Sequence, residues 1–163
     1  MYEKSIKLLN IAIADELIAV HQYMYFHFHC DDQGYDLLSN IYKRTAMDEM
    51  RHVELLAERI LFLKGKVILK AGADVEPTHE VKEMLEWARA SEQGAISDYN
   101  QAANASAVNS DSATKRIFED LVADEERHFN QFDMEYEKLL KFGERYLVLQ
   151  SLDNSAATPG AAE

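Results

Sequence analysis

Proline and glycine are scarce, with two and six residues respectively in a chain of 163. Both prolines fall outside the long periodic segments, so little interrupts helix formation and an all-α chain is expected. Cysteine occurs once, at Cys30, which excludes an intrachain disulfide and any zinc or iron–sulfur site made wholly of cysteines. Long hydrophobic runs are missing too. No segment approaches about 18 uninterrupted apolar residues, so no membrane is expected as a partner. The opening stretch MYEKSIKLLNIAIADELIAV carries acids inside its apolar run and no small-residue cleavage site, which argues against a signal peptide and for the cytoplasm. Positive charge is in deficit, with 17 Lys and Arg against 29 Asp and Glu and a net charge of −12. With no basic patch along the sequence, nucleic acid is not an expected partner. Acidity of this degree suits cations, or solubility alone.

What is present reads as one globular domain over residues 1–150, with 47% hydrophobic and 28% charged residues. Residues 151–163, SLDNSAATPGAAE, are small and polar and are expected to form a disordered tail. Helical spacing of apolar residues predicts a first helix over 4–32 (Ile6, Leu9, Ile13, Leu17, Val20, Met24, Phe28), stopping near Gly34. A second is predicted over 36–65 (Leu37, Ile41, Met47, Val53, Leu56, Ile60, Leu63), ended by Gly65. Segment 66–78 lacks helical periodicity and closes on Thr78, an expected N-cap for His79 onward. A third helix is predicted over 79–107 (Val81, Met84, Leu85, Ala88, Ala95, Tyr99). A fourth covers 112–141 (Ile117, Leu121, Phe132, Leu139, Leu140), and a short fifth 143–150. Each main helix reaches roughly 40–45 Å at about 1.5 Å per residue. Short links make two antiparallel hairpins, and 66–78 is long enough to join them, which gives a four-helix bundle with one long crossover.

An internal repeat carries the chemistry. Asp48-Glu49-Met50-Arg51-His52 and Asp124-Glu125-Glu126-Arg127-His128 agree at four of five positions and lie 76 residues apart. The same offset maps Glu16 onto Glu92 and Tyr23 onto Tyr99. Residues i and i+3 share a helix face, so Glu49 with His52, and Glu125 with His128, aim at one point. A pseudo-twofold axis between the hairpins brings both pairs together, with Glu16 and Glu92 projecting from the other two helices. A lone Glu-x-x-His is common on solvated faces. Two copies, each with an upstream Glu at identical spacing, are the pattern of ferritin-like di-metal bundles. Four carboxylates and two imidazoles suit a pair of iron or manganese ions better than zinc or copper. Glu49 and Glu125 are placed to bridge and Glu16 and Glu92 to terminate, and two divalent ions balance four carboxylates, which makes burial tolerable. Tyr23 and Tyr99, two turns beyond Glu16 and Glu92, either donate to a ligand carboxylate or fill the core.

These segments, with Asp15-Glu16-Leu17, His21-Gln22-Tyr23 and Arg59-Ile60-Leu61-Phe62-Leu63-Lys64-Gly65, resemble bacterioferritin over roughly residues 4–150. All six ligand positions match the family's ferroxidase centre. Met50 breaks the internal repeat against Glu126, about 100° around the helix from Glu49, and so points out of the bundle. Read by itself it is a haem ligand or a soft filler of a dimer interface. The resemblance implies the former, one Met from each of two subunits ligating a shared haem. It further implies a ferroxidase that oxidises Fe2+ with O2 or H2O2 at a di-iron centre, mineral stored in a shell of 24 subunits built from haem-bridged dimers, and a small ferredoxin as electron donor for iron release. The family often has His and Asp four residues apart on the cavity side of the second helix. Arg44 stands four residues before Asp48 here, which leaves such an accessory iron site open. His21, His27, His29 and Cys30 form an enriched patch read as packing, and His79 as a helix-start residue. The alternative function is a rubrerythrin-like di-iron peroxidase without its four-cysteine iron domain. A DNA-coating mini-ferritin would split its ligands between subunits, whereas six lie within this chain.

Overall fold

The computed structural model describes residues 2–151. Five helices follow in order: α1 (Glu3–Asp32), α2 (Asp36–Phe62), α3 (Val81–Val108), α4 (Ser112–Phe142) and α5 (Glu144–Ser151). There is no strand among the described residues. The expected tail falls outside them, apart from Ser151, which ends α5. α1 packs chiefly on α2 and α3 on α4, so two antiparallel hairpins form the all-α, four-helix bundle that the sequence predicts.

The helix stops show where chain conformation decides. After α1, Gly34 takes φ 80°, and Tyr35 N–H reaches back to the Cys30 carbonyl at 2.8 Å, a Schellman closure using glycine's freedom at positive φ. After α2 the left-handed position belongs to Lys64 (φ 62°), not to Gly65. Gly65 is required for a different reason. A Cβ there would lie 2.9 Å from Ile6 and Ile60 side-chain carbons, so the glycine lets the crossover leave tightly against α1. Thr78 does not cap the third helix, which starts at Val81 after Glu80. The Thr78 hydroxyl instead donates to the Glu83 carboxylate.

The crossover runs along α1 and is fastened to it by hydrogen bonds to the crossover's backbone. Asn10 accepts from Ile68 N–H at 2.9 Å and donates to the Lys66 carbonyl at 3.1 Å. Gly72 N–H donates to the Ala14 carbonyl at 3.1 Å. Gln22 binds both backbone groups of Glu76, at 2.8 and 3.0 Å. Polar backbone that a loop would leave exposed is thus satisfied along the bundle.

The core comprises two apolar clusters. One gathers Tyr23, Phe26, Leu38, Tyr42, Met84 and Phe132; the other Leu9, Ile13, Leu56, Ile60, Phe118 and Leu121. Between them, at mid-height, the buried face of every long helix switches from apolar to carboxylate or imidazole.

Candidate metal centre

Glu16 on α1, Glu49 and His52 on α2, Glu92 on α3, and Glu125 and His128 on α4 meet at that height. None is more than 5% exposed. Four carboxylates at that burial would be prohibitive alone, and the imidazoles answer them. His52 Nδ1 lies 3.3 Å from Glu16, 2.9 Å from Glu49 and 3.2 Å from Glu125. His128 Nδ1 lies 3.1 Å from both Glu49 and Glu125 and 3.8 Å from Glu92. Both oxygens of Glu49, one of Glu125 and the Nδ1 of His52 are nevertheless without a well-directed hydrogen bond. Two sets of atoms fall within 4.8 Å of one another: Glu16, Glu49, His52 and Glu125, and Glu49, Glu92, Glu125 and His128. Each set can hold a cation, and Glu49 and Glu125 belong to both.

Outer partners orient these groups, and every one crosses between hairpins. Tyr99 donates to Glu16 at 2.6 Å, and Tyr23 donates to Glu92. His52 Nε2 stands 3.2 Å from Asp124, and His128 Nε2 3.3 Å from Asp48. The sequence reading pointed to neither Asp as an orienting group. The signal was available, since an Asp precedes the Glu in both copies of the repeat. A carboxylate on the far ring nitrogen fixes the imidazole so that Nδ1 faces the centre.

Burial and mutual repulsion shape the proton inventory. Burial, then the neighbouring Glu49, lift Glu16 well above its ordinary 4.5. Burial lifts Glu92 likewise, and its hydrogen bond with His128 offsets only part of the rise. For His128 burial opposes the charged ring, but hydrogen bonds to Glu125, Glu49 and Glu92 win and push it up to about 12. His52 is raised for the same reasons, through Glu125, Glu16 and Glu49. Burial works against ionised Glu125 too, yet hydrogen bonds from His128 and His52 hold it at about 2.

A cavity of about 200 Å³ leads to the carboxylates between α1 and α3, with Asp15 and Asp98 at its mouth beside Glu16, Glu49, Glu92 and Glu125. Asp15 is raised by burial and by the charge of Asp98 near it. Met50 lies on the outward side of α2, 38% exposed, with Met47 one turn away at 42%. The histidine-rich end of α1 gathers no third metal group among the described residues. His27 binds Ser39 at 2.8 Å, and Cys30 is buried against the Met84 sulfur at 3.7 Å, with its thiol pushed up to about 12 by burial. His79 does more than start a helix. It stacks on His29 with ring centroids 3.9 Å apart, and its Nε2 meets the Tyr25 hydroxyl at 2.6 Å, pinning the crossover to α1.

A bundle with one long crossover that buries two Glu–Glu–His triplets about a pseudo-twofold axis defines a ferritin-like protein, and the ferritin-like domain family matches residues 6–142. The sequence is 34% identical to bacterioferritin of Desulfovibrio desulfuricans over 145 residues, covering 89% of this chain and 81% of that protein. It is 32% identical to bacterioferritin of Brucella melitensis over 141 residues, covering 86% and 88%. A crystal structure of the Desulfovibrio desulfuricans protein, described as showing its di-iron site in different catalytic states, superposes with a TM-score of 0.90 at 32% identity, covering 98% of this chain and 94% of that one. Mycobacterium tuberculosis bacterioferritin superposes with a TM-score of 0.87 at 25% identity, covering 94% and 96%. The chain belongs to the bacterioferritin family. No described helix is long and apolar enough to cross a membrane.

Proposed function

We propose that this protein stores and detoxifies iron as a ferroxidase, binding two Fe2+ ions as substrate at Glu16, Glu49, His52, Glu92, Glu125 and His128. The observation that carries this is the pair of overlapping ligand sets that share Glu49 and Glu125. Shared carboxylates hold two cations close enough to be oxidised together, and hard oxygen donors with one imidazole per ion suit iron. With H2O2 as oxidant, two Fe2+ and two protons yield two Fe3+ and two water molecules. With O2, two Fe2+ and two protons yield two Fe3+ and H2O2. Taking both electrons at one site avoids release of a one-electron radical. Aerobic addition of Fe2+ to the full chain should give rapid oxidation with ferric iron co-eluting with protein on size exclusion; oxidation no faster than in buffer alone would refute the reading.

Fe2+ reaches the centre through the mouth between α1 and α3, where Asp15 and Asp98 concentrate cations. Replacing both by Asn is expected to slow oxidation about three- to tenfold at low Fe2+ while the rate at saturating Fe2+ holds, read by initial-rate kinetics across Fe2+ concentration.

The reading extends to a shell of 24 subunits in the cytoplasm, assembled from dimers that share a haem, with a small ferredoxin supplying electrons for iron release. The outward methionines fit the haem. Met50 presents an exposed thioether that would ligate the haem iron, and Met47 beside it would add apolar surface to the haem's binding place. Bound there, haem supplies electron transfer. Met50→Leu is expected to remove the Soret band of purified protein and to leave Fe2+ oxidation intact, since Met50 is not among the buried ligand sets; absorption spectra with and without Fe2+ check both.

A further inference from the structure

We propose that the pocket between α2 and α4, lined by Lys43, Arg44, Arg51 and Arg127, binds inorganic phosphate beside the histidine side of the metal centre. In a chain of net charge −12 the fold collects four cations around one concavity of about 480 Å³, against a single lining carboxylate, Asp48. That carboxylate is already shared: Arg51 pairs with one oxygen, while Arg127 at 3.4 Å and His128 Nε2 at 3.3 Å face the other. Lys43 and Arg44 make no ion pair or hydrogen bond among the described residues. Gln131 adds an amide at the rim. These residues lie far apart in sequence, at 43–51 and 127, so no basic run announces the patch.

The chemistry selects a tetrahedral oxyanion. Guanidinium groups present paired N–H donors that match two phosphate oxygens, and several converging forks discriminate where a single lysine would not. A concave wall with cations in excess over its one carboxylate also focuses the field. Arg51 and Arg127 side chains are 71% and 56% exposed, so water and salt weaken each pair, and binding relies on several cations acting together. The two faces of the bundle are therefore opposite in kind: an acidic mouth on α1 and α3, and a cationic pocket on α2 and α4 just outside the Asp48–His128 contact. Arg44, where an accessory iron ligand was in question, serves an anion instead.

Equilibrium dialysis of the assembled, iron-free protein against radiolabelled inorganic phosphate at low ionic strength tests this. Saturable binding of about one phosphate per chain is expected, with Arg44→Glu and Lys43→Glu each lowering affinity about tenfold. Lys82→Glu on α3 makes the same change of charge at a distance and should leave affinity unchanged. Acetate should displace phosphate no better than chloride at matched ionic strength. The proposal is overturned by absence of saturable binding up to about 10 mM phosphate, by Lys82→Glu weakening binding as much as Arg44→Glu, or by acetate competing as well as phosphate. The readout uses no iron, so its failure leaves the ferroxidase reading standing, and failure of that reading leaves phosphate binding standing.

Discussion

Glu49→Ala is expected to lower the rate of Fe2+ oxidation by about a hundredfold or more. Glu49 belongs to both ligand sets, and its oxygens lie 2.9 Å from His52 Nδ1 and 3.1 Å from His128 Nδ1. Truncation removes a donor from each ion at once and leaves nothing to hold the pair together. Glu16→Ala touches only one set, so it should spare binding of one ion while still slowing the paired oxidation. Stopped-flow absorbance after aerobic mixing separates the two variants, and circular dichroism of the metal-free proteins guards against misfolding. Rapid oxidation surviving in a folded Glu49→Ala protein would make the di-iron assignment wrong.

Loading the centre with a redox-inert divalent ion should expel at least about two protons per two ions at neutral pH. His52 and His128 are raised far above 6.5 by their carboxylate partners, so both rings hold protons in the metal-free state, and burial raises Glu16 and Glu92 in the same sense. Each must lose its proton to become a ligand. The signs for stability follow from the same shifts. His128 contributes stability fully below pH 6.5 and loses it as pH rises through about 12. Glu125 contributes above pH 4.5 and loses it as pH falls through about 2. Glu16 and Glu92 have the opposite sign for carboxylates, with a cost that grows as pH rises above 4.5. The stabilisation gained from Zn2+ should therefore increase with pH, because metal replaces protons that alkaline solution withdraws. Thermal melts with and without Zn2+, and a pH-stat titration in weak buffer, measure both; release of fewer than about two protons would contradict the assigned proton inventory.

The fold, and the convergence of the six candidate ligands, were legible because repetition is a strong signal. Glu-x-x-His twice, with an upstream Glu at the same offset, leaves few geometries open. Helix limits came within a few residues, since periodicity locates elements better than ends. Faces were harder to read. Spacing placed Leu17, Met24 and Phe28 on the buried side of α1, yet Phe28 is 59% exposed, while Tyr23, Phe26 and Cys30 are buried. α1 carries apolar residues all round, so periodicity alone could not choose between its two stripes. Met47 and Leu140 are exposed on α2 and α4 for a related reason: they extend apolar surface beyond the bundle's own core. The repeat marks Asp48 and Asp124 as a matched pair, but not their partners, because each serves a histidine on the other hairpin. Gly65 is needed for its close approach to Ile6 and Ile60 while Lys64 takes the left-handed position, a division that a local reading of glycine misses.

The crossed contacts of Tyr23 with Glu92, Tyr99 with Glu16, Asp124 with His52 and Asp48 with His128 bear on how such a duplicated chain can diverge. Each half supplies three members of one ligand set, lends a carboxylate to the other set, and props the groups of its counterpart. A substitution in one hairpin is felt first in its counterpart, and a repair must arise there as well. The two halves are thus coupled at these positions, so that neither can change alone without disturbing the other, while Met50 and Glu126, which prop nothing across the axis, lie outside that coupling.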